Sequence, residues 1–235
     1  MRTERMIGGR ACCLYGDAQA SDVLIQAVDA HDLEALDQEI GHLNALAAGR
    51  PFLLAAFRIS DWNRELSPWE APAVFGREAF GAGAKDTLAY VRDALLPALA
   101  RDDPAGGRKR YHLGGYSLAG LFALWAAYQT GLFQGIAAVS PSVWFPQWTR
   151  FIEEHTIQSP YVYLSLGDRE ERTRNRVMAE VGGKIRKQHE ALCREEAVRA
   201  CTLEWNPGNH FADSGIRTAK GFAWLLRQDQ PSSAL

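Results

Sequence analysis

Apolar residues recur along this chain with two periods, one typical of buried strands and the other of amphipathic helices. Short apolar runs predict strands over residues 11–16, 23–28, 52–59, 136–140, 161–166 and 201–205. Another strand from residue 110 leads into the glycines before Ser117, and an apolar helix follows to residue 128. Helical spacing predicts further helices near residues 33–43, 88–99, 177–192 and 216–226. Strands that alternate with helices predict an α/β protein with a mainly parallel sheet covered on both faces.

The ends of these elements carry their own signals. Asp32 is the expected N-cap of the first helix, and Gly49-Arg50-Pro51 is expected to end it. The length of 235 residues suits a single domain spanning residues 1–235. Residues 1–9 and 228–235 are expected to be frayed termini.

The loops that follow the predicted strands carry most of the candidate functional residues. Right-handed crossovers place all strand-to-helix loops of a parallel sheet at its carboxyl edge, which is where ligands bind in such folds. The residues expected to meet there are Asp29, Trp62, Ser117, Trp144, Glu170 and His210.

The segment Gly115-Tyr116-Ser117-Leu118-Ala119 resembles the nucleophile elbow of an α/β-hydrolase, a strand-to-helix turn that exposes a serine above the sheet. Such a turn holds the serine in a strained backbone conformation, so its neighbours must be small. The fifth position is usually glycine and is Ala119 here, which is still small enough. An ordinary loop with Ser117 as an N-cap is the alternative interpretation.

A serine nucleophile needs a base and an acid, which follow it along α/β-hydrolase chains in the order acid, then histidine. His210 follows the last predicted strand, whereas the other downstream histidines fall in or near helices. Glu170 lies three residues after the strand-ending Gly167 and is the preferred acid, with Asp168 as the alternative.

The remaining site predictions concern the oxyanion and the substrate. The amide of Leu118, directly after the nucleophile, is one expected oxyanion donor, and Asp29 is the candidate for the second. Trp62, Trp144 and Phe145 are candidates for an apolar substrate pocket, although simple packing of loops explains them equally well. The arginines between residues 169 and 176 are interleaved with Glu170 and Glu171, which favours a solvated helix face.

Composition excludes several other classes of function. A formal charge of −2 gives no general attraction to nucleic acid or to anionic lipid. The amino-terminal sequence has no signal-peptide core and no run could span a membrane, so a cytoplasmic location is expected. The four cysteines form no C-x-x-C pair, which favours reduced structural thiols over a zinc site. No metal or organic cofactor is expected, and a homodimer is left open.

With these motifs in hand, the chain resembles the putative esterase family of α/β-hydrolases, which includes esterase D-like and enterochelin esterase-like proteins. The resemblance covers about residues 21–226 and is carried by residues 114–120, 139–145, 167–170 and 208–210. Residues 61–69 are similar to a loop of uncharacterised bacterial members. The resemblance implies an α/β-hydrolase fold and a Ser-His-acid hydrolase in which Ser117 and His210 are the firm members.

The expected function is hydrolysis of a small-molecule carboxylic ester through an acyl-enzyme, with Ser117, His210 and Glu170 as the triad. Two alternatives stay open. An acyltransferase would pass the same acyl group to an alcohol or amine instead of water. A hydrolase-fold protein that binds a ligand without turnover would not need the three residues in this order.

Overall fold

Strands and helices alternate along residues 2–101 and 109–228, the part of the chain that the computed structural model describes. The strands are β1 (Arg2–Ile7), β2 (Arg10–Gly16), β3 (Asp22–Val28), β4 (Leu53–Arg58), β5 (Arg110–Tyr116), β6 (Gly135–Val139), β7 (Tyr161–Gly167) and β8 (Ala200–Asn206). The α-helices are α1 (Ala30–Ala47), α2 (Trp62–Glu65), α3 (Ala84–Tyr90), α4 (Leu96–Arg101), α5 (Leu118–Gln129), α6 (Trp148–Glu154), α7 (Arg176–Ala179), α8 (Val181–Leu192) and α9 (Ser214–Leu226). A π-helical segment, Val91–Leu95, joins α3 to α4, and a 3-10 turn covers Glu170–Arg172.

The strands form one sheet in the order β1-β2-β4-β3-β5-β6-β7-β8. β2 pairs antiparallel with both β1 and β4, and every other neighbouring pair is parallel. The prediction of an α/β fold with a mainly parallel sheet is therefore confirmed. Because β3 and β5 are adjacent at the centre, the loops after them open side by side at the carboxyl edge.

Apolar residues cover both faces of this sheet. In β3, Val23 and Ile25 belong to one core cluster, whereas Leu24 and Val28 belong to the other. Helices α1 and α9 pack together on the second face, and α5 is buried on the first. Burial on both faces explains why the central strands read as continuous apolar runs rather than as alternating ones.

The expected frayed amino terminus is wrong, because Arg2–Ile7 form strand β1. This strand is mostly exposed, so hydrophobic patterning did not reveal it. Its backbone pairs with β2 along its whole length, and Arg2 forms ion pairs with Glu4 and Asp37. Within the described residues, no helix combines the length and apolar character that crossing a bilayer requires.

The N-cap of α1 is Asp29, not Asp32; the two carboxylates form a capping box in which each accepts a backbone N–H of the other. The single helix expected over 177–192 is interrupted at Glu180, between α7 and α8. Of the carboxyl-terminal segment 228–235 that was expected to be frayed, Gln228 donates its side-chain amide to the Trp224 carbonyl. Residues 229–235 lie outside the described part of the chain.

Candidate active site

The turn between β5 and α5 holds Ser117 in a strained conformation, with φ of 58° and ψ of −120°. A side chain at Gly115 would come within 2.6 Å of the Ala119 Cβ, and one at Gly120 within 2.9 Å of the Gly115 carbonyl oxygen. The backbone therefore closes on itself around the serine, which only small residues permit. Ala119 fills its place because Gly115 leaves room for the methyl group.

His210 lies in the loop after β8, and its imidazole faces Ser117. The Nε2 atom of His210 is 3.0 Å from the Oγ atom of Ser117. The histidine side chain keeps 22 % of its surface exposed, so solvent reaches the pair. Gly208, two residues before His210 in this loop, has a φ of +107°, a conformation that favours glycine.

Glu170 lies on the other side of the imidazole, with its Oε2 atom 2.7 Å from His210 Nδ1. Its Oε1 atom accepts hydrogen bonds from the Ser140 hydroxyl and the Gly167 amide, each at 2.7 Å. Burial raises the pKa of Glu170. The hydrogen bond and charge of His210, together with the Ser140 and Gly167 donors, lower this pKa by more than burial raises it. The net pKa lies below the ordinary value, so the carboxylate is held in its ionised form.

Asp168, the alternative acid, has a different position. Its Oδ1 atom accepts the backbone N–H of Gly208 at 2.8 Å, and its side chain is largely exposed. Asp168 therefore holds the loop that carries His210, and it is Glu170 that contacts the imidazole.

Arg217 in α9 is a positioning residue that sequence reasoning missed. Its guanidinium is almost completely buried and donates to Glu170 Oε1, to the Tyr116 hydroxyl and to the carbonyls of Pro207 and Asn209. The Tyr116 hydroxyl in turn donates to the His210 carbonyl at 2.7 Å. One arginine thus ties the acid to the histidine loop. Helical periodicity gave no signal for it, because Tyr116 and Glu170 are distant in sequence and the contacts to Pro207 and Asn209 are to backbone carbonyls of the preceding loop.

The two predicted oxyanion donors differ in their surroundings. Leu118 is the first residue of α5, where a backbone N–H has no partner within the helix, and it lines a cavity together with Ser117. Asp29 lies at the end of β3, but its amide donates to the Asp32 carboxylate at 3.2 Å. Asp29 does not line that cavity. In this arrangement its amide is engaged in capping α1, and the second donor stays a prediction.

The sequence model of the putative esterase family matches residues 56–206. The chain belongs to the putative esterase family. A search of curated protein sequences found no match.

Solved structures resemble this esterase over nearly its whole length. An IroE-like serine hydrolase from Shewanella oneidensis has a TM-score of 0.78 at 16% identity, covering 96% of this chain and 80% of that one. The siderophore hydrolase EstA from Aspergillus nidulans has a TM-score of 0.77 at 18% identity, covering 96% and 94%. The enterobactin esterase FES from Shigella flexneri has a TM-score of 0.64 at 14% identity, covering 95% and 59%. At these identities the likeness shows the α/β-hydrolase fold.

An apolar cavity of about 320 Å³ opens at Ser117 of this esterase. Its walls include Trp62 and Trp144, two of the three predicted pocket residues, together with Phe75 and Phe80. Phe145 does not line it, which corrects that prediction. The Phe145 side chain is fully buried and packs against Phe80, with ring centroids 5.1 Å apart, so it supports the wall from behind.

A second cavity of about 340 Å³ adjoins the first and shares His210 with it. Arg169 and Arg172 line it, together with Glu170 and Trp144. Trp144, His210 and Phe211 border both cavities, so the two spaces meet at the imidazole.

Proposed function

We propose that this esterase hydrolyses carboxylic esters through a triad of Ser117, His210 and Glu170 and an acyl-enzyme on Ser117. The observation that carries the proposal is the position of the His210 ring. One ring nitrogen lies 3.0 Å from the serine hydroxyl and the other 2.7 Å from a buried carboxylate. Neither an N-capping serine nor a surface histidine would need such an arrangement.

In the first half of the reaction, His210 Nε2 takes the proton of the Ser117 hydroxyl as Oγ attacks the ester carbonyl. The Nδ1–H donates to Glu170, whose charge stabilises the imidazolium. The developing oxyanion is stabilised by the Leu118 amide. His210 then gives its proton to the departing alcohol, and the acyl group remains on Ser117.

In the second half, water takes the place of the alcohol. His210 removes a proton from this water as it attacks the acyl-enzyme, and the proton returns to Ser117 Oγ as the acid leaves. The exposed edge of His210 gives water a route to the ester, which favours hydrolysis over transfer to another acceptor.

The walls of the 320 Å³ cavity indicate which part of the substrate they hold. Apolar and aromatic side chains dominate this cavity, so it suits an apolar acyl group rather than a charged one. We therefore expect uncharged acyl chains to be accepted there, with the alcohol portion directed towards the second cavity.

Active-site labelling with a fluorophosphonate tests the nucleophile directly. The probe should label the native protein on Ser117, and Ser117→Ala should abolish both labelling and p-nitrophenyl ester hydrolysis. Ser142 is the matched control, because its hydroxyl lies 3.4 Å from that of Ser117 in the same cavity. Ser142→Ala should still be labelled, whereas loss of labelling only in Ser142→Ala would contradict the assignment.

His210→Gln provides the second arm of this experiment. Without the imidazole the hydroxyl loses its base, so labelling and turnover should fall by about 10³-fold or more. Turnover close to that of the native protein in this variant would contradict the triad.

A further inference from the structure

A cluster of two thiols and an imidazole lies far from the triad, where α8 ends and β8 begins. Cys193 Sγ lies 3.2 Å from Cys201 Sγ and 3.7 Å from His189 Nε2. The ligand atoms of all three residues lie within 4.8 Å of one another. Across residues 2–101 and 109–228, no other group of three or more His, Cys, Asp or Glu side chains is arranged in this way.

The local structure explains why these three side chains meet. His189 and Cys193 are four residues apart at the end of α8, so they lie on one helix face. Cys201 comes from the second residue of β8, which runs beside β7 at the edge of the sheet. Two ligands from a helix and one from a strand are thus joined by a short connection.

The observed distances lie within about 0.6 Å of those required by a tetrahedral zinc ion. With zinc–sulfur and zinc–nitrogen bonds of about 2.3 and 2.0 Å, two sulfur ligands lie about 3.8 Å apart, and sulfur and nitrogen about 3.5 Å apart. The sulfur–nitrogen distance of 3.7 Å already fits. The thiols would need to separate by only about 0.6 Å, which side-chain rotation at this surface can supply.

The third side chain distinguishes a metal site from a simple thiol pair. A disulfide would involve only Cys193 and Cys201, and it would not account for the imidazole of His189 beside them. Two thiols and an imidazole are instead a donor set that zinc prefers. Cys193 is exposed and the other two side chains are half-buried, so an ion can enter and water can complete the coordination.

We propose that His189, Cys193 and Cys201 bind one zinc ion, with water as the fourth ligand. Binding displaces the two thiol protons to solvent. The ion links the end of α8 to the start of β8 and so stabilises the edge of the sheet. It lies at the opposite end of β8 from the His210 loop. Five residues of strand, about 16 Å, separate Cys201 from Asn206, so the ion takes no part in ester hydrolysis.

Zinc titration of the reduced, metal-free protein tests this site. We expect one zinc ion per chain, release of about two protons and a rise in Tm of about 5 °C at saturating zinc. Cobalt(II) in place of zinc should give the thiolate-to-metal charge-transfer absorption that marks sulfur ligands. His189→Ala, Cys193→Ser and Cys201→Ser should each weaken zinc binding by at least about 100-fold.

Two controls separate this site from other histidines. His42→Ala removes a half-buried histidine elsewhere on the surface, and His210→Ala removes the proposed catalytic base. Both should bind zinc as tightly as the native protein. Loss of binding in His210→Ala alone would overturn the proposal by moving the ion to the triad.

Two further outcomes would also overturn it. If His189→Ala binds zinc normally, the imidazole is not a ligand. If the reduced protein binds no zinc, and protein handled without reductant contains a Cys193–Cys201 disulfide, the cluster is a redox pair rather than a metal site.

Discussion

The two oxygens of the Glu170 carboxylate have different partners. Oε1 accepts hydrogen bonds from Ser140, Gly167 and Arg217, while Oε2 is left to His210. The carboxylate cannot rotate without breaking the bonds at Oε1. Its orientation is therefore fixed before any substrate binds, which is the preorganisation that a triad acid requires.

Glu170→Gln should lower kcat/KM by about 10²–10⁴-fold while leaving the fold intact. The amide keeps the shape of the side chain but removes the charge that stabilises the imidazolium. Steady-state hydrolysis of a p-nitrophenyl ester measures the effect.

Asp168→Asn is the matched control for this substitution. Asparagine keeps the oxygen that accepts the Gly208 amide, so kcat/KM should stay within about threefold of the native value. The reverse result, with Asp168→Asn the more damaging variant, would show that Asp168 is the triad acid.

At the scale of the element, the elbow depends on the contact between β5 and the first turn of α5. The methyl group of Ala119 occupies the space that a side chain at Gly115 would need. This explains why the chain tolerates alanine at the position where the hydrolase motif usually has glycine. Serine exposure is thus a property of the whole turn.

Gly115→Ala should destabilise the protein by about 1–3 kcal/mol, because the new methyl group would lie 2.6 Å from that of Ala119. Ala119→Gly alone should cost only about 0.5–1 kcal/mol, the usual difference between glycine and alanine in a helix. In the double variant the two methyl groups no longer collide. Part of the loss at Gly115 should therefore be recovered.

Urea unfolding of the four proteins in this cycle measures the coupling energy. We expect a favourable coupling of at least about 0.5 kcal/mol between the two substitutions. Strictly additive effects would mean that the two residues do not constrain each other.

At the scale of the whole molecule, the sheet is covered on both faces, and one covering helix contains an unusual buried acid. Glu39 of α1 is buried beside Gln26 of β3, whose side-chain amide donates to it at 3.4 Å. Burial raises the pKa of Glu39 to about 8, and the hydrogen bond from Gln26 lowers it by less than burial raises it. The folded protein therefore carries this carboxyl in its neutral form near neutral pH.

This burial makes the stability of the whole protein depend on pH. Between the unfolded pKa of about 4.5 and the folded pKa of about 8, the folded state holds one proton more than the unfolded state. Stability then falls as pH rises, by about 1.4 kcal/mol per pH unit from this group. Glu39→Gln should lack that contribution, so its stability relative to the native protein should increase steadily from pH 5 to pH 8.

Urea unfolding at several pH values measures this difference. Glu34→Gln is the matched control, because Glu34 lies on the same helix and is exposed. It should leave the pH dependence unchanged. An equal pH dependence in the native protein and in Glu39→Gln would contradict a neutral Glu39.

Much of the architecture could be predicted because it depends on local pattern. The sequence predicted most strands, the alternation of strands and helices, and the elbow at Ser117. Each of these features depends on the burial or turn geometry of residues that are neighbours in the chain. Strand β1 escaped notice because backbone pairing with β2 stabilises it, rather than an apolar face. Phe145 was misplaced because sequence does not distinguish an aromatic residue that lines a cavity from one that supports its wall.

By itself, the sequence determined the class of fold, the turn that exposes Ser117 and the chain order of the proposed triad. Only the tertiary structure decided which carboxylate meets His210, that Asp29 caps a helix, and that His189, Cys193 and Cys201 come together. The physical reason is the range of the interactions. A strained turn constrains residues next to one another, whereas the imidazole of residue 210 meets a hydroxyl 93 residues away only because the sheet brings both loops to one edge.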